Sequence, residues 1–377
     1  MNSETILTDA VLVLGDTTLH GTLVIRDGHI ADVQPGRTPA LPAHSLDGDY
    51  LIPGIVDTHT DNLERQVQPR SLARWPSRSA MVAHDAQCAA AGVTTVFDAL
   101  CLGDLGFDKD RIRTFQNGVV DLDALNSASL LKSDHFLHLR CEVPALDMLP
   151  LFDSVSDHPL VRIVSLMDHS PGVGQYANID FYRALRRRGG LDEDYIEQRI
   201  RELREQREQT RIPHRRALLE RVAGRAIALA SHDDRTEEEV AENAADGIRI
   251  SEFPVTMEAA CAAKAHGMQV IAGAPNIVRG GSHSGNVSAG DLLDRGAVDA
   301  FASDYVPNSL VEAAFQCGQR IGLPQAVALV TERPARLAGL DDRGTLQPGQ
   351  RADLVRVRVH DGLPVVRQVW RAGERVA

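Results

Sequence analysis

Residues 51–64 read LIPGIVDTHTDNLE, an apolar run broken by a Pro-Gly turn and closed by His59, Asp61, Asn62 and Glu64. The apolar half has the character of a buried strand, and polar groups at the end of an inner strand must find partners or hold something. His59 and Asp61 are one residue apart, so on extended backbone their side chains share a direction and can meet at one point. The stretch therefore reads as the first strand of a sheet and as one half of an ion site.

Downstream, strand-like and helix-like segments alternate, the pattern of a parallel sheet with crossover helices. Strand candidates end near His59, Asp98, Glu142, His169 with Asp168 before it, His232, Glu252, Asn276 and Asp304. Such a set closes a (β/α)8 TIM barrel, in which polar residues at the C-terminal strand ends read as function and the apolar runs beneath them as core. Residues 5–34 and 344–377 instead alternate apolar with polar, with hairpin signals at Gly15-Asp16 and Asp27-Gly28. The expected class is α/β. Residues 1–50 and 340–377 form a composite β-sandwich domain, and 51–339 a metal-dependent barrel with a helical insert at about 178–225. That insert mixes Arg with Glu at helical spacing around a stripe of Ile196, Ile200 and Leu203. It reads as one or two exposed helices, serving as a solvated hairpin, a homo-oligomer contact or a basic lid over an anionic substrate.

A single buried histidine is more often a satisfied core residue than a ligand. The set decides: His59, Asp61, Glu142, His169, His232 and Asp304 all fall at predicted strand ends of one barrel. Imidazoles and carboxylates in that number suit two divalent ions with Glu142 as the bridge, zinc first and manganese, iron, nickel or magnesium as alternatives. A two-ion site activates water, and Asp304 is the candidate catalytic residue that holds the water and shuttles its proton. In GAPNIVRGGSHSGN, residues 273–286, Gly280, Gly281 and Gly285 allow close backbone approach while Arg279, Ser282, His283 and Asn286 supply donors. With Asn276 at the strand end, this is an anion loop, and beside a metal site it favours a small phosphorylated substrate. Arg140 shares a strand face with His138 and Glu142, either bracing Glu142 or reaching substrate. Glu252, Asn308 and Ser309 are secondary candidates for substrate contact, and His84 falls on a helix as a structural residue.

Composition narrows the classes. With 43% hydrophobic and 24% charged residues the 377-residue chain is globular, and a net charge of −12 argues against a nucleic-acid surface. No apolar run approaches the roughly 18 residues of a membrane span, and MNSETILTDA lacks the basic and apolar parts of a signal peptide. A cytoplasmic protein without membrane partners is expected. The five cysteines show no paired spacing, which excludes a zinc ribbon or a disulfide framework. Lysine occurs only at 109, 132 and 264.

IPGIVDTHTD after a β-rich start, AAGVTTVFD, later strand-end histidines, an aspartate in SD and RPARLAGLDDRGTLQPGQRADLV together resemble the metal-dependent amidohydrolase superfamily over the whole chain. HTDNLE, LHLRCE, SLMDHSPGVGQY, SHDD, ISEFPVTMEAA and GAPNIVRGGSHSGN are similar to blocks of its α-D-ribose 1-methylphosphonate 5-triphosphate diphosphatase family. The resemblance implies hydrolysis of that ribose phosphonate triphosphate to the 5-phosphate and pyrophosphate in phosphonate catabolism. The chain departs from the usual superfamily pattern at Asp61, where a second histidine is common, and it offers no strand-end lysine as a carbamylated bridge. Two rivals accompany this expectation: hydrolysis of an amide, as in a deacetylase or cyclic amidase, and a non-catalytic subunit of a phosphonate-metabolising complex.

Overall fold

Eight segments rich in Val, Ile, Ala and Phe form a parallel sheet that rolls almost into a ring. They are β1 (Ile55–Thr60), β2 (Val93–Leu102), β3 (Asp134–Glu142), β4 (Val161–Met167), β5 (Ala228–His232), β6 (Ile250–Glu252), β7 (Gln269–Gly273) and β8 (Ala300–Ala302). Each pairs with the next in sequence order. The computed structural model describes residues 4–40, 42–70, 73–106, 109–282 and 284–377, without the side chain of Lys109. Parallel strands covered on both faces lose the polar alternation of exposed sheets, and β2 is buried along its whole length.

Inside the ring, Val56, Phe97, Ile163, Ala230, Ile250, Ile271 and Ala300 make an apolar plug. Burial of each large side chain there stabilises by about 1.5–3 kcal/mol. Along β3 the alternate residues Phe136, His138, Arg140 and Glu142 climb from that plug toward the rim. The ring closes between β8 and β1 only at the rim. There Asp304 N donates to His59 O at 3.0 Å and Asp61 N to Asp304 O at 2.8 Å. Lower down, residues 329 and 330 fill the seam, with Phe301 N donating to Leu329 O and Val56 N to Val330 O, both at 2.9 Å.

Two expected strand ends fall elsewhere. The strand expected to stop near Asp98 runs on to Leu102 because VTTVFDALCL contains no breaker, and Asp98 turns outward to helix Ser77–Ala90, where its Oδ1 lies 2.7 Å from His84 Nε2. β7 stops at Gly273, and Asn276 belongs to the short helix Ala274–Arg279. Pro275, with φ already helical, starts that turn.

Between β4 and β5 stand two helices, Ile179–Arg188 and Glu193–Val222, capped by the side chains of Asn178 and Asp192. Tyr182, Ile196 and Ile200 pack them together. The longer helix leans on the rim: Thr210 Oγ1 donates to Pro144 O at 3.0 Å, and Arg207 Nε reaches Asp168 Oδ2 at 2.5 Å.

The chain ends build a separate, mainly antiparallel sheet. Leu354–His360 pairs with Tyr50–Pro53, which pairs in parallel with Glu4–Val13, so both termini share one surface over Leu12, Leu23, Leu51, Leu354 and Trp370. This sheet is tied to the barrel floor by Asp134, at the start of β3. Arg343 at 2.8 Å, Arg371 at 3.2 Å and Arg351 all converge on its carboxylate. Burial favours the protonated acid, yet the Arg351 and Arg343 charges hold Asp134 below the usual carboxylate range. Removing one partner of such a cluster leaves shielded charge uncompensated. Asp134→Ala is expected to cost on the order of 2 kcal/mol, less than for a fully buried pair because Asp134 keeps 26% side-chain exposure. Urea denaturation of the variant against the parent measures it.

Candidate active site

The strand ends open into a cavity of about 350 Å³ lined by His59, Asp61, Arg140, Glu142, His169, His232, Asn276, Arg279, Gly281, Ser282, Asn286 and Asp304. Gly280 caps helix Ala274–Arg279 in the left-handed conformation, φ 78°, which a side chain would resist. His283 lies outside the described residues.

Potential ligand atoms cluster at the cavity floor. His59, Asp61 and Asp304 place theirs within 4.8 Å of one another, as do His169, His232 and Asp233. A third group, His59, His232 and Glu252, joins the two. The sequence reading did not single out Asp233, although it follows His232 directly in SHDD. A recurring backbone device explains it. Asp233, Phe253 and Asp304 each take left-handed φ, 58°, 53° and 55°. Asp233 N donates to Glu252 O at 2.9 Å, Phe253 N to Ile271 O at 2.9 Å and Asp304 N to His59 O at 3.0 Å. Each residue thus makes a ladder bond to the adjoining strand and then swings its side chain over the mouth. Aspartate tolerates that conformation better than most residues.

Glu142 joins none of the three groups. Its Oε2 lies 2.6 Å from His169 Nδ1, and its Oε1 accepts from His169 N at 2.8 Å. Burial disfavours charge on both, but the Glu142 and Asp233 carboxylates push His169 up to about 9. The His169 charge in turn holds Glu142 below the usual range. His59 shows the opposite balance. Burial and the nearby Arg140 charge keep its imidazole neutral, with Nδ1 3.1 Å from Glu252 Oε1. A carboxylate on Nδ1 of a neutral ring fixes the tautomer whose Nε2 carries the ligating lone pair.

Arg140 donates to Asp61 Oδ2 at 3.2 Å, and Arg111 lies 3.6 Å from the same oxygen and 2.8 Å from Glu64. Burial would raise Asp61, but the Arg140 charge overrides it and keeps the carboxyl low. Burial and then the Asp61 charge push Asp304 well above the ordinary range. Two carboxylates this close ionise together only with a cation at hand.

The residues fit divalent ions. Asp61 Oδ1 and Glu252 Oε2 are buried and meet no hydrogen-bond partner among the described residues, while His232 Nδ1 and Asp233 Oδ2 lie 3.1 Å apart without good hydrogen-bond geometry. Orphaned polar atoms are costly, and a cation at a His/Asp donor set satisfies them. A further group of buried residues, His84, Asp98 and His135, fails the same test. His84 Nε2 and His135 Nδ1 lie 2.7 and 2.8 Å from the two Asp98 oxygens, and His135 Nε2 is 3.2 Å from Asp85. Every one of these nitrogens is already engaged, so this is a hydrogen-bonded charge network.

The Amidohydrolase family model matches residues 192–377. The chain is 41% identical over 376 residues to the α-D-ribose 1-methylphosphonate 5-triphosphate diphosphatase of Escherichia coli (strain K12), covering 98% of this chain and 100% of that protein. The chain belongs to this diphosphatase's family of amidohydrolases. Among solved structures, 5-methylcytosine deaminase from Klebsiella pneumoniae aligns with TM-score 0.65 at 14% identity, over 99% of this chain and 97% of that one. The N-acetyl-D-glucosamine-6-phosphate deacetylase of Mycobacterium smegmatis aligns with TM-score 0.64 at 17% identity, over 99% and 100%. Both likenesses concern the fold: a nearly closed barrel with a sheet made from the two termini. No described helix is long and apolar enough to cross a membrane.

The His135 network gives this amidohydrolase a pH signature. Burial opposes its charge, yet Asp98 and Asp85 lift His135 from the ordinary 6.5 to about 10. The folded state therefore holds a proton that the unfolded chain releases near pH 6.5. Its contribution is complete below that value and fades as pH rises toward 10. Denaturant midpoints are expected to fall steadily between pH 7 and 10, and His135→Gln is expected to flatten that slope.

Proposed function

We propose that this chain hydrolyses α-D-ribose 1-methylphosphonate 5-triphosphate to the corresponding 5-phosphate and pyrophosphate. The full-length identity to a diphosphatase carries the reading. The cavity supports it, with a carboxylate and imidazole floor facing an arginine and glycine wall, since a neutral amide needs no such wall.

In this reading His59, Asp61 and Asp304 on one side and His169, His232 and Asp233 on the other hold two divalent ions, zinc by donor type. When bound, such ions supply an acidified water and positive charge for the attacked phosphoryl group. With a cation offsetting the Asp61 charge, Asp304 is ionised and would accept the proton of the attacking water at its carboxylate. The water oxygen bonds to phosphorus as the anhydride oxygen leaves with pyrophosphate. Arg279 and the neighbouring backbone N–H groups receive the charge of that leaving group. Glu142 acts on His169: its carboxylate at Nδ1 leaves Nε2 to ligate. Arg140 is assigned to Asp61 as its counter-charge.

Purified protein is expected to carry stoichiometric divalent metal by elemental analysis and to release pyrophosphate, seen by phosphorus NMR; intact triphosphate in the presence of bound metal would refute the reading. His232→Ala is expected to abolish turnover. Glu142→Ala is expected to cost about 10–100-fold in kcat/KM, the size of losing a ligand's orienting partner; a loss matching that of His232→Ala would make Glu142 a direct ligand instead. Arg279→Ala is expected to raise KM about tenfold or more with metal content retained.

A further inference from the structure

The buried cluster around Asp98 has no part in the reading above, and it does not stop at His84. Asn62 follows Asp61 directly and opens the short helix Asn62–Val67. Its Nδ2 donates to Gln87 Oε1 at 3.2 Å and lies 3.0 Å from His84 Nδ1. An amide NH2 only donates, so His84 Nδ1 accepts, and the ring proton sits on Nε2, 2.7 Å from Asp98 Oδ1. Asp98 Oδ2 lies 2.8 Å from His135 Nδ1, and Asp85 Oδ1 3.2 Å from His135 Nε2. Asp85 in turn accepts from the backbone N–H groups of Lys132 at 3.0 Å and Ser133 at 2.9 Å, just before β3. A continuous line of hydrogen bonds therefore joins residue 62 to the start of β3. Each of its side chains, Asn62, His84, Asp98, His135 and Asp85, is at most 2% exposed.

The helix that Asn62 opens needs such an anchor. Asp61 stands at its N-cap, the position whose side chain usually fixes the first turn, yet Asp61 makes no capping bond. Its carboxylate is turned instead to Arg140 through Oδ2, with Oδ1 left over. A helix of six residues has too few backbone bonds to hold its own direction. Side chains on one face do this work: Asn62 Nδ2 and Gln66 Nε2, four residues apart, both donate to Gln87 Oε1, at 3.2 and 2.7 Å. Asn62 N adds a bond to Thr60 Oγ1 at 3.3 Å. His84 and Gln87 both belong to helix Ser77–Ala90, so the peptide carrying Asp61 is held from outside the barrel.

Resting on the two-ion reading, we infer that Asn62 is a positioning residue for Asp61, and that the His84–Asp98–His135 cluster is the rigid anchor against which it aims that carboxylate. Asn62 is directed at helix Ser77–Ala90 and acts through the adjoining peptide, not by touching substrate or ion. Loss of its amide leaves His84 Nδ1 buried without a donor and frees the first turn to rotate about Asp61. The effect falls on the set of His59, Asp61 and Asp304. The set of His169, His232 and Asp233 is carried by β4 and β5 and has no share in this anchor.

Competition for zinc between the purified protein and a chromophoric chelator tests this, read beside steady-state pyrophosphate release. The wild-type protein is expected to hold two zinc ions. Asn62→Leu, close in volume but without the amide, is expected to weaken one ion about 10–100-fold and leave the other unchanged. Its kcat is expected to recover at saturating zinc, with KM for the triphosphate unaltered. Gln87→Met, which removes only the shared acceptor at the half-buried end of the anchor, is expected to weaken the same ion by a smaller factor, and it decides the matter where Asn62→Leu does not fold. Zinc affinities equal to wild type, equal weakening of both ions, or a raised KM at saturating zinc would overturn the positioning role while leaving the two-ion reading standing. A wild-type protein that holds fewer than two zinc ions would overturn that reading, and this inference with it.

Discussion

The first and last strands of the barrel meet through three residues that are also candidate ligands of one ion. Asp304 N bonds His59 O and Asp304 O accepts from Asp61 N, while Thr60 Oγ1 adds a third bond to Asp304 O at 3.1 Å. Below this rim the seam is held by the inserted backbone of residues 329–330 and by Asp57, whose carboxylate accepts from Ser303 N at 3.0 Å. Closure and site geometry are therefore one constraint. A shift of β8 against β1 by one residue would invert the direction of Asp304 and separate it from His59 and Asp61. By linkage, a cation bound by His59, Asp61 and Asp304 stabilises the closed ring against opening along this seam.

The same constraint explains the aspartate at position 61. Arg140 is 5% exposed, one layer below the rim on β3. A guanidinium at that depth requires a counter-charge. Asp61 supplies it with Oδ2 and keeps Oδ1 without a hydrogen-bond partner among the described residues. An imidazole at position 61 would remove the carboxylate that Arg140 hydrogen-bonds. The departure from the usual histidine pair and the buried arginine thus form one electrostatic unit, in which one Asp61 oxygen answers Arg140 and the other faces the candidate ion site.

How much of this was legible follows from what each feature leaves in the sequence. The spacing of His59 and Asp61 and the alternation of His138, Arg140 and Glu142 are periodic, and periodicity survives folding. The parallel barrel was readable from alternating segments and the terminal sheet from hairpin signals. Asp98 misled because a strand buried on both faces carries no alternation to mark its end, and its two histidine partners come from a helix and from the next strand. Asp233 was hidden by its left-handed backbone, which depends on a ladder bond from a strand nearly twenty residues away. Arg186 could not be told from Arg187 and Arg188 by composition. Only the packing of Tyr182 beneath it turns one of the three toward the cavity.

That packing also decides whether the insert can act as a fixed wall. A charged hairpin held only by surface ion pairs would gain little from each of them and move freely. Here the shorter helix is anchored on a small apolar cluster of Tyr182, Ile196 and Ile200. The longer helix is anchored on the rim itself: Gln206 Nε2 donates to Pro144 O at 2.8 Å, His214 Nδ1 lies 3.0 Å from Val143 O, and Arg207 holds Asp168. Asp168 directly precedes His169, and Val143 and Pro144 directly follow Glu142. The backbone that aims the Glu142–His169 pair is therefore the surface on which the insert rests. Any displacement of the insert strains that pair, so this wall of the cavity and the Glu142–His169 pair on its floor are mechanically coupled through two adjoining strand ends.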